Sequence, residues 1–403
     1  MVARVRLVRT AAALAVVAAV AGAGAALLGV HAASGADEHA STRSRVQAGT
    51  DVCGTGWPAD GTTPHSGTQT YAIHNGSIAG VDVQLVQPRT GAVFLDAEGV
   101  GSGATVQYRV RIPHGDYQFR CLPADGDAVT GSVVHVTGSA HVSDATPGIV
   151  PVTQNDLVPA AKAYGDWIES RLPVLLRDVQ TLDADVHAGD VPAARRDWTT
   201  AHTEYEQLGA AYGAFGDADT AIDGHPASGH TALDDPHLTG FHAIEARLWS
   251  GAPAADLAGR SDALVAAVQH LQRDFPQTRV DPLDIGLRAH EILENALRLE
   301  MTGATDAGSH TSLATVDANI SGTEHALAPI RGLLRTRYAG LPATDAALAT
   351  ARHDLEAERR PDGTWTPLAA LGTATRERLD ADLGDAVERL APVAAICDPR
   401  RTS

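Results

Sequence analysis

The sequence predicts a multidomain β + α protein, with an N-terminal β-sandwich followed by an all-α helical bundle, behind a short export segment. Three observations predict it. Short alternating segments separated by Gly, Pro and Asp fill the chain up to about residue 138. From about residue 155 apolar residues return at helical spacing over long stretches, while Gly and Pro retreat to the gaps. Ahead of both, Arg4, Arg6 and Arg9 precede an uncharged Ala/Val/Leu-rich run over residues 11–30.

That N-terminal run reads as a signal peptide or anchor over residues 1–36. It is long enough to stay in the bilayer as one helix, which keeps membrane anchoring open. The small residues Ala32, Ala33, Ser34, Gly35 and Ala36 suit a signal peptidase, so cleavage is the preferred reading. Either way the chain is expected to be exported, to the cell envelope and the periplasmic or extracellular face of the membrane.

The alternating segments, at 68–75, 81–86, 105–112, 117–122 and 132–137, place a β domain at 50–138. Residues 139–154 read as a linker, and residues 155–395 as the helical domain. Helices are expected at 157–188, 191–213, 238–250, 256–274, 281–302, 311–338, 343–357 and 367–394. Gly189 closes the first and Pro192 sits in the first turn of the second.

Acidic residues outnumber basic ones, 49 to 31, for a formal charge of −18. Such a surface repels nucleic acid and anionic lipid and concentrates cations, so a metal ion is the expected partner and nucleic acid is not. Three cysteines occur: Cys53, Cys121 and Cys397. In an exported chain, Cys53 and Cys121 read first as a disulfide across the small β domain. Cys397 is left as an idle thiol or one that pairs outside its own domain.

The chemistry-bearing stretch starts in an Asp- and His-rich loop over residues 216–237 and runs into Gly240-Phe241-His242-Ala243-Ile244-Glu245. On a helix, His242 and Glu245 are three apart and share a face, where they can chelate one cation. Alone, this pair is a weak signal. Its context is more specific. Leu248-Trp249 follow it, Arg195-Arg196-Asp197-Trp198 and Tyr205-Glu206 precede it, and Phe215-Gly216-Asp217 leads to Asp219 and to Ile222-Asp223. Further on stand Ala289-His290-Glu291-Ile292-Leu293-Glu294 and Ser309-His310-Thr311. These segments resemble the EfeO/imelysin family, whose imelysin-like helical domain carries a Gly-x-His-x-x-Glu metal motif. The run from Cys53 through Asp96-Ala97-Glu98 and Gly103 to Gly115-Asp116-Tyr117 and Cys121 resembles the cupredoxin-like domain that precedes it in EfeO proteins.

The resemblance implies an extracytoplasmic metal-binding component of an EfeUOB-like iron uptake system, more a transport component than an enzyme. It implies partners too: a membrane iron permease and a haem peroxidase-like protein. Iron, as Fe2+ or Fe3+, is the expected ion, with copper or zinc as the other candidates. The helical ligand set is His242 and Glu245, with Glu206 and Asp219 as further carboxylates. In the β domain the family view makes Cys53, Cys121 and Glu98 metal ligands, so disulfide and metal site both stand. A blue-copper centre is disfavoured, because neither methionine, Met1 or Met301, lies in that domain. His74 reads as a strand-end residue. Many family members carry glutamates just after the Tyr-Glu pair, where this chain has Gly209 and Gly213, so a ligand there is missing.

His290, Glu291 and Glu294 form a second candidate set, read first as packing or hydrogen-bonding groups, and Glu169 ranks below them. An imelysin-like metallopeptidase is the alternative function. Against it, a zincin helix needs two His four apart around a Glu, whereas His290-Glu291-Ile292-Leu293-Glu294 ends in Glu. A calcium- or saccharide-binding adhesion module is disfavoured by His242.

Overall fold

The structure is a computed structural model that describes residues 43–402 apart from residue 60. The predicted export segment lies outside these residues. Among those described, no helix is long and apolar enough to cross a membrane.

Among the described residues, nine strands form the β region: β1 Arg43–Ala48, β2 Cys53–Thr55, β3 Gly67–Asn75, β4 Val81–Val86, β5 Val93–Val100, β6 Thr105–Ile112, β7 Gly115–Pro123, β8 Val129–Thr130 and β9 Val134–Val136. One sheet has the order β2-β1-β3-β6 and the other β5-β4-β7-β8, with β9 also paired to β7. All pairings are antiparallel except β1 with β3. The sheets share one apolar core because strand alternation sends every second residue inward: Tyr71 and Ile73 from one sheet, Val83, Leu85, Phe119 and Cys121 from the other. Trp57, Tyr71 and Phe119 meet edge-to-face at its centre, with ring centroids 5.2–5.5 Å apart. Buried Asn75 links the two sheets, its side-chain amide donating to Ala79 O and Val100 O while its oxygen accepts from Ser77.

This region starts at Arg43, before the boundary expected at residue 50. β1 reads Arg-Ser-Arg-Val-Gln-Ala, too polar to register as a strand until its pairing with β3 is seen. β5 escaped notice because Asp96, Glu98 and Gly99 interrupt its apolar pattern. Cys53 and Cys121 are joined in a disulfide. This corrects their reading as metal ligands, since a disulfide offers no thiolate. Glu98 is exposed and paired with Arg400, and His74 lies beside Thr105, its Nδ1 3.0 Å from Oγ1.

Residues 139–153 are stitched to the β region. Thr146 N donates to Arg111 O, and Val93 and Ile149 exchange backbone hydrogen bonds. Thr153 then caps the first helix in a reciprocal capping box with Asp156.

The helices are α1 Gln154–Ala188, α2 Val191–Glu206, α3 Tyr212–Phe215, α4 Asp217–Asp223, α5 Gly240–Ser250, α6 Ala254–Asp274, α7 Asp284–Asn295, α8 Ser312–Leu327, α9 Arg331–Arg337, α10 Leu341–Glu356 and α11 Thr373–Cys397. α1 buries Leu157, Tyr164, Ile168, Leu172, Leu175 and Val179 on one face, packs on α2 and α6, and stops at Gly189 in the left-handed region. α7 packs on α8 and α11 and continues through a π-helical turn, Ala296–Glu300.

The helix expected over 191–213 ends at Glu206. A tight turn at Gly209–Ala211 follows, then α3 and Gly216, whose φ of 58° and ψ of −127° exclude side chains. A Cβ at Gly209 would press on Ile292, 3.1 Å away, and one at Gly213 on Asp284 and Arg288. Side chains at these glycines would therefore meet α7.

The two regions are tied at the C-terminus. Arg400 pairs with Asp96 and Glu98 on β5, and Arg401 donates to Pro123 O and Gly126 O. Cys397 is buried against Gly286, and burial pushes its thiol up to about 11, which makes it inert.

Because the disulfide closes a span of 68 residues, the chain-entropy view assigns it ~4 kcal/mol of stability. Cys53→Ser/Cys121→Ser protein should show a lower denaturation midpoint for the β region, measured by hydrogen exchange of its strand amides, with the helical amides less affected. An unchanged β transition would contradict that role.

Candidate metal centre

Three helices carry the site. On α2, His202 and Glu206 are one turn apart on one face. Trp198, a turn earlier, stacks on the His202 ring with centroids 4.6 Å apart, and its Nε1 donates to Phe241 O. Asp223 is the last residue of α4. His242 lies in the first turn of α5, close to Asp223 because the start of α5 rests on the end of α4. Gly240 has a φ of 77°, and a Cβ there would collide with the Ile222 carbonyl. Only glycine allows that approach, which supplies a physical reason for the first residue of the Gly-x-His-x-x-Glu stretch.

Asp223 Oδ1 stands 3.5 Å from His202 Nε2 and 3.7 Å from His242 Nε2, and one donor atom of each of these residues lies within 4.8 Å of the other two. Glu206 Oε1 is 3.3 Å from His202 Nε2, while Asn319 donates to its other oxygen. Both ring nitrogens of His202 and Asp223 Oδ1 are buried without a hydrogen-bond partner.

Glu245 shares the helix face of His242, as expected, but lies on the other side of its ring from Asp223. Its Oε2 is 3.3 Å from His242 Nδ1, and its Oε1 accepts from the backbone amides of Ala307 and Ser309. Both oxygens are thus engaged. An Nδ1–H donated to Glu245 leaves Nε2, the His242 nitrogen on the Asp223 side, as the one that can bind a cation once it loses its proton.

Asp219 is displaced as well. It lies a turn before Asp223 and accepts from the Tyr205 hydroxyl at 2.5 Å, while burial, with help from Asp223 and Glu206, raises its carboxyl to about 6. The second candidate set stays apart: Glu291 pairs with Arg288, and His290 Nδ1 is 3.9 Å from Glu294. Glu169 lies on α1 in another cleft, beside Phe275 and Arg279.

His202 and Glu300 were missed in the sequence. The signal for His202 was available in His202-x-x-x-Glu206 with Trp198 one turn before. Glu300 had none, because it is carried toward the site by the π-helical turn. Burial, then repulsion from Glu206, raises it to about 7, and it accepts from Thr305. A cleft of about 950 Å³ reaches the site, with His225, His230, His310 and Asp306 among its lining and His242 in its wall. The His225 ring is 4.9 Å from that of His242.

Burial opposes protonation of His202 and His242, yet Asp223 with Glu206, and Asp223 with Glu245, outweigh it and raise both. In turn burial opposes ionisation of Asp223 and Glu245, and the histidines win and lower both. Without a metal the carboxylates are balanced by protons on imidazole. A cation can replace those protons, and mixed nitrogen and oxygen donors suit iron, zinc or manganese.

The fold and the cluster together define a helical bundle with a buried His/carboxylate centre, preceded by a β-sheet region. The imelysin family profile matches residues 160–393. The chain belongs to the imelysin family. Over 262 residues it is 23% identical to the protein named iron uptake system component EfeO in Escherichia coli K12, covering 65% of this chain and 68% of that one, and the same figures hold for Shigella flexneri. Among solved structures it is similar to a putative iron-regulated protein A precursor from Parabacteroides distasonis, with 13% identity and a TM-score of 0.48, over 61% of this chain and 96% of that one.

Two outcomes follow from this geometry. Gly240→Ala should cost ~1–3 kcal/mol and shift His242 away from Asp223, seen as a lower Tm with weakened metal binding. In metal-free protein the raised histidines contribute stability that is complete below ~6.5 and lost as pH rises through their higher folded values. Metal-free Tm should therefore be higher at pH 6 than at pH 8.5, with the difference reduced in His202→Gln/His242→Gln; a pH-independent Tm would refute the charge balance.

Proposed function

We propose that this protein is the extracytoplasmic metal-binding component of an iron uptake system, and that it holds one iron ion between His202, Asp223 and His242. Glu206 completes the donor set, and Glu245 orients the His242 ring. The observation that carries this reading is the orphaned state of His202 and Asp223: buried polar atoms normally find partners, and here the missing partner is a cation. Donor atoms this close can share one ion at ~2 Å from each. The curated relatives named as iron uptake components supply iron as the ion, and the net charge of −18 favours cation capture.

Export through the N-terminal segment places the protein where such capture is needed. A membrane permease and a haem peroxidase-like protein remain the partners that the EfeO resemblance implies, and the cleft at His242 provides the ion's route in and out. The β region, its cysteines joined, contributes no thiolate site in this reading.

Ferrous, ferric, zinc and cupric titrations with elemental analysis test it. Wild-type protein should bind one iron, and Asp223→Asn/His242→Ala should bind none at the same concentrations. Glu245→Gln should weaken binding ~10–100-fold without abolishing it, as for a residue that orients a ligand. Undiminished iron binding by the double variant would overturn the assignment.

A further inference from the structure

A second cleft, of about 660 Å³, adjoins the first and shares Trp249 and His310 with it. Its lining includes four arginines, Arg195, Arg196, Arg359 and Arg360, against two carboxylates, Asp317 and Asp362. Arg359 is occupied: it pairs with Glu356 and Asp317 and lies 4.2 Å over the Trp365 ring. The other three form no ion pair among the described residues. Arg195 donates to Leu248 O, its Nε has no acceptor, and its guanidinium stands 5.3 Å from the Trp249 ring. Arg196 donates only to the Pro192 carbonyl, and both Arg196 and Arg360 are exposed.

In a chain of charge −18, guanidinium groups normally find carboxylates nearby. Three left unpaired around one concavity form a local cationic field in an otherwise acidic protein. Guanidinium binds carboxylate and phosphate in a bidentate way. The rest of the lining adds a second kind of group. Thr199, Thr200 and Thr203 donate their hydroxyl hydrogens to carbonyls of their own helix, which leaves their oxygens as acceptors. Such acceptors can receive hydroxyl hydrogens, and a cleft of this volume is larger than inorganic phosphate alone would fill. A ligand with several carboxylates and at least one hydroxyl satisfies both kinds of group, and the volume is that of a small organic molecule's site.

We propose that this cleft binds a small hydroxylated organic polycarboxylate. The site is separate from the His202–Asp223–His242 cluster and does not depend on the iron reading. The probes are citrate, tricarballylate (the same three carboxylates without the hydroxyl) and inorganic phosphate, titrated calorimetrically into metal-free full-length protein at ~150 mM salt, where diffuse surface attraction is screened. Trp249 and Trp365 provide a fluorescence readout.

Citrate should bind one per chain, tricarballylate more weakly, and phosphate at least tenfold more weakly than citrate. Arg196→Ala/Arg360→Ala should lower citrate affinity at least tenfold with Tm unchanged, since both side chains are exposed. Asp223→Asn protein should bind citrate as wild type does, which keeps failure of the metal assignment distinguishable from failure of this one. Phosphate binding as tight as citrate, equal binding of tricarballylate, citrate binding unaffected by loss of the two arginines, or no citrate binding would each overturn the proposal.

Discussion

Asp223 lies between two buried histidines, and the rest of the helical region is arranged to hold it there. Its neighbours His202 and His242 come from helices separated by residues 207–239, so the cluster exists only because α4 and α5 meet end to start. That contact is made by backbone, with Gly240 seated on the Ile222 carbonyl. Around it, Trp198 and Phe241 form an apolar wall that fixes the His202 ring. A low-dielectric setting strengthens each charge interaction within it and makes an unpartnered group costly.

The outer contacts follow from the same requirement. Glu245 fixes the His242 ring from one side and the amides of Ala307 and Ser309 from the other, so the segment beside both clefts is anchored to the His202–Asp223–His242 cluster. The β region is attached twice, by the stitched segment over 139–153 and by the Arg400–Arg401 tail on β5 and the end of β7. These links make the two regions mechanically continuous, whatever chemistry each performs.

Much of this architecture was legible in the chain. Alternation over 68–75 and 105–112, and helical spacing from Leu157 to Val186, identified a β region followed by helices, because those periods reflect local burial. His242 stood out by its motif. β1 and β5 were not legible, since their strand character depends on neighbours that bury polar or interrupted segments. The break after Glu206 was missed for a related reason: Gly209 must let α7 approach, a demand that local spacing does not express.

By itself the sequence determined the order of the two regions and the acidic charge of the chain, and it singled out His242 with Glu245 as one helix face, since each depends on composition or on residues a turn apart. Only the tertiary structure decided that His202 and Asp223 stand beside His242, that both oxygens of Glu245 face the His242 ring and two backbone amides, and that Cys53 and Cys121 are bonded to one another. The physical reason is distance in the chain. Helical periodicity can bring together residues three or four apart, whereas Asp223 and His242, or Glu245 and Ser309, meet only when separate elements pack.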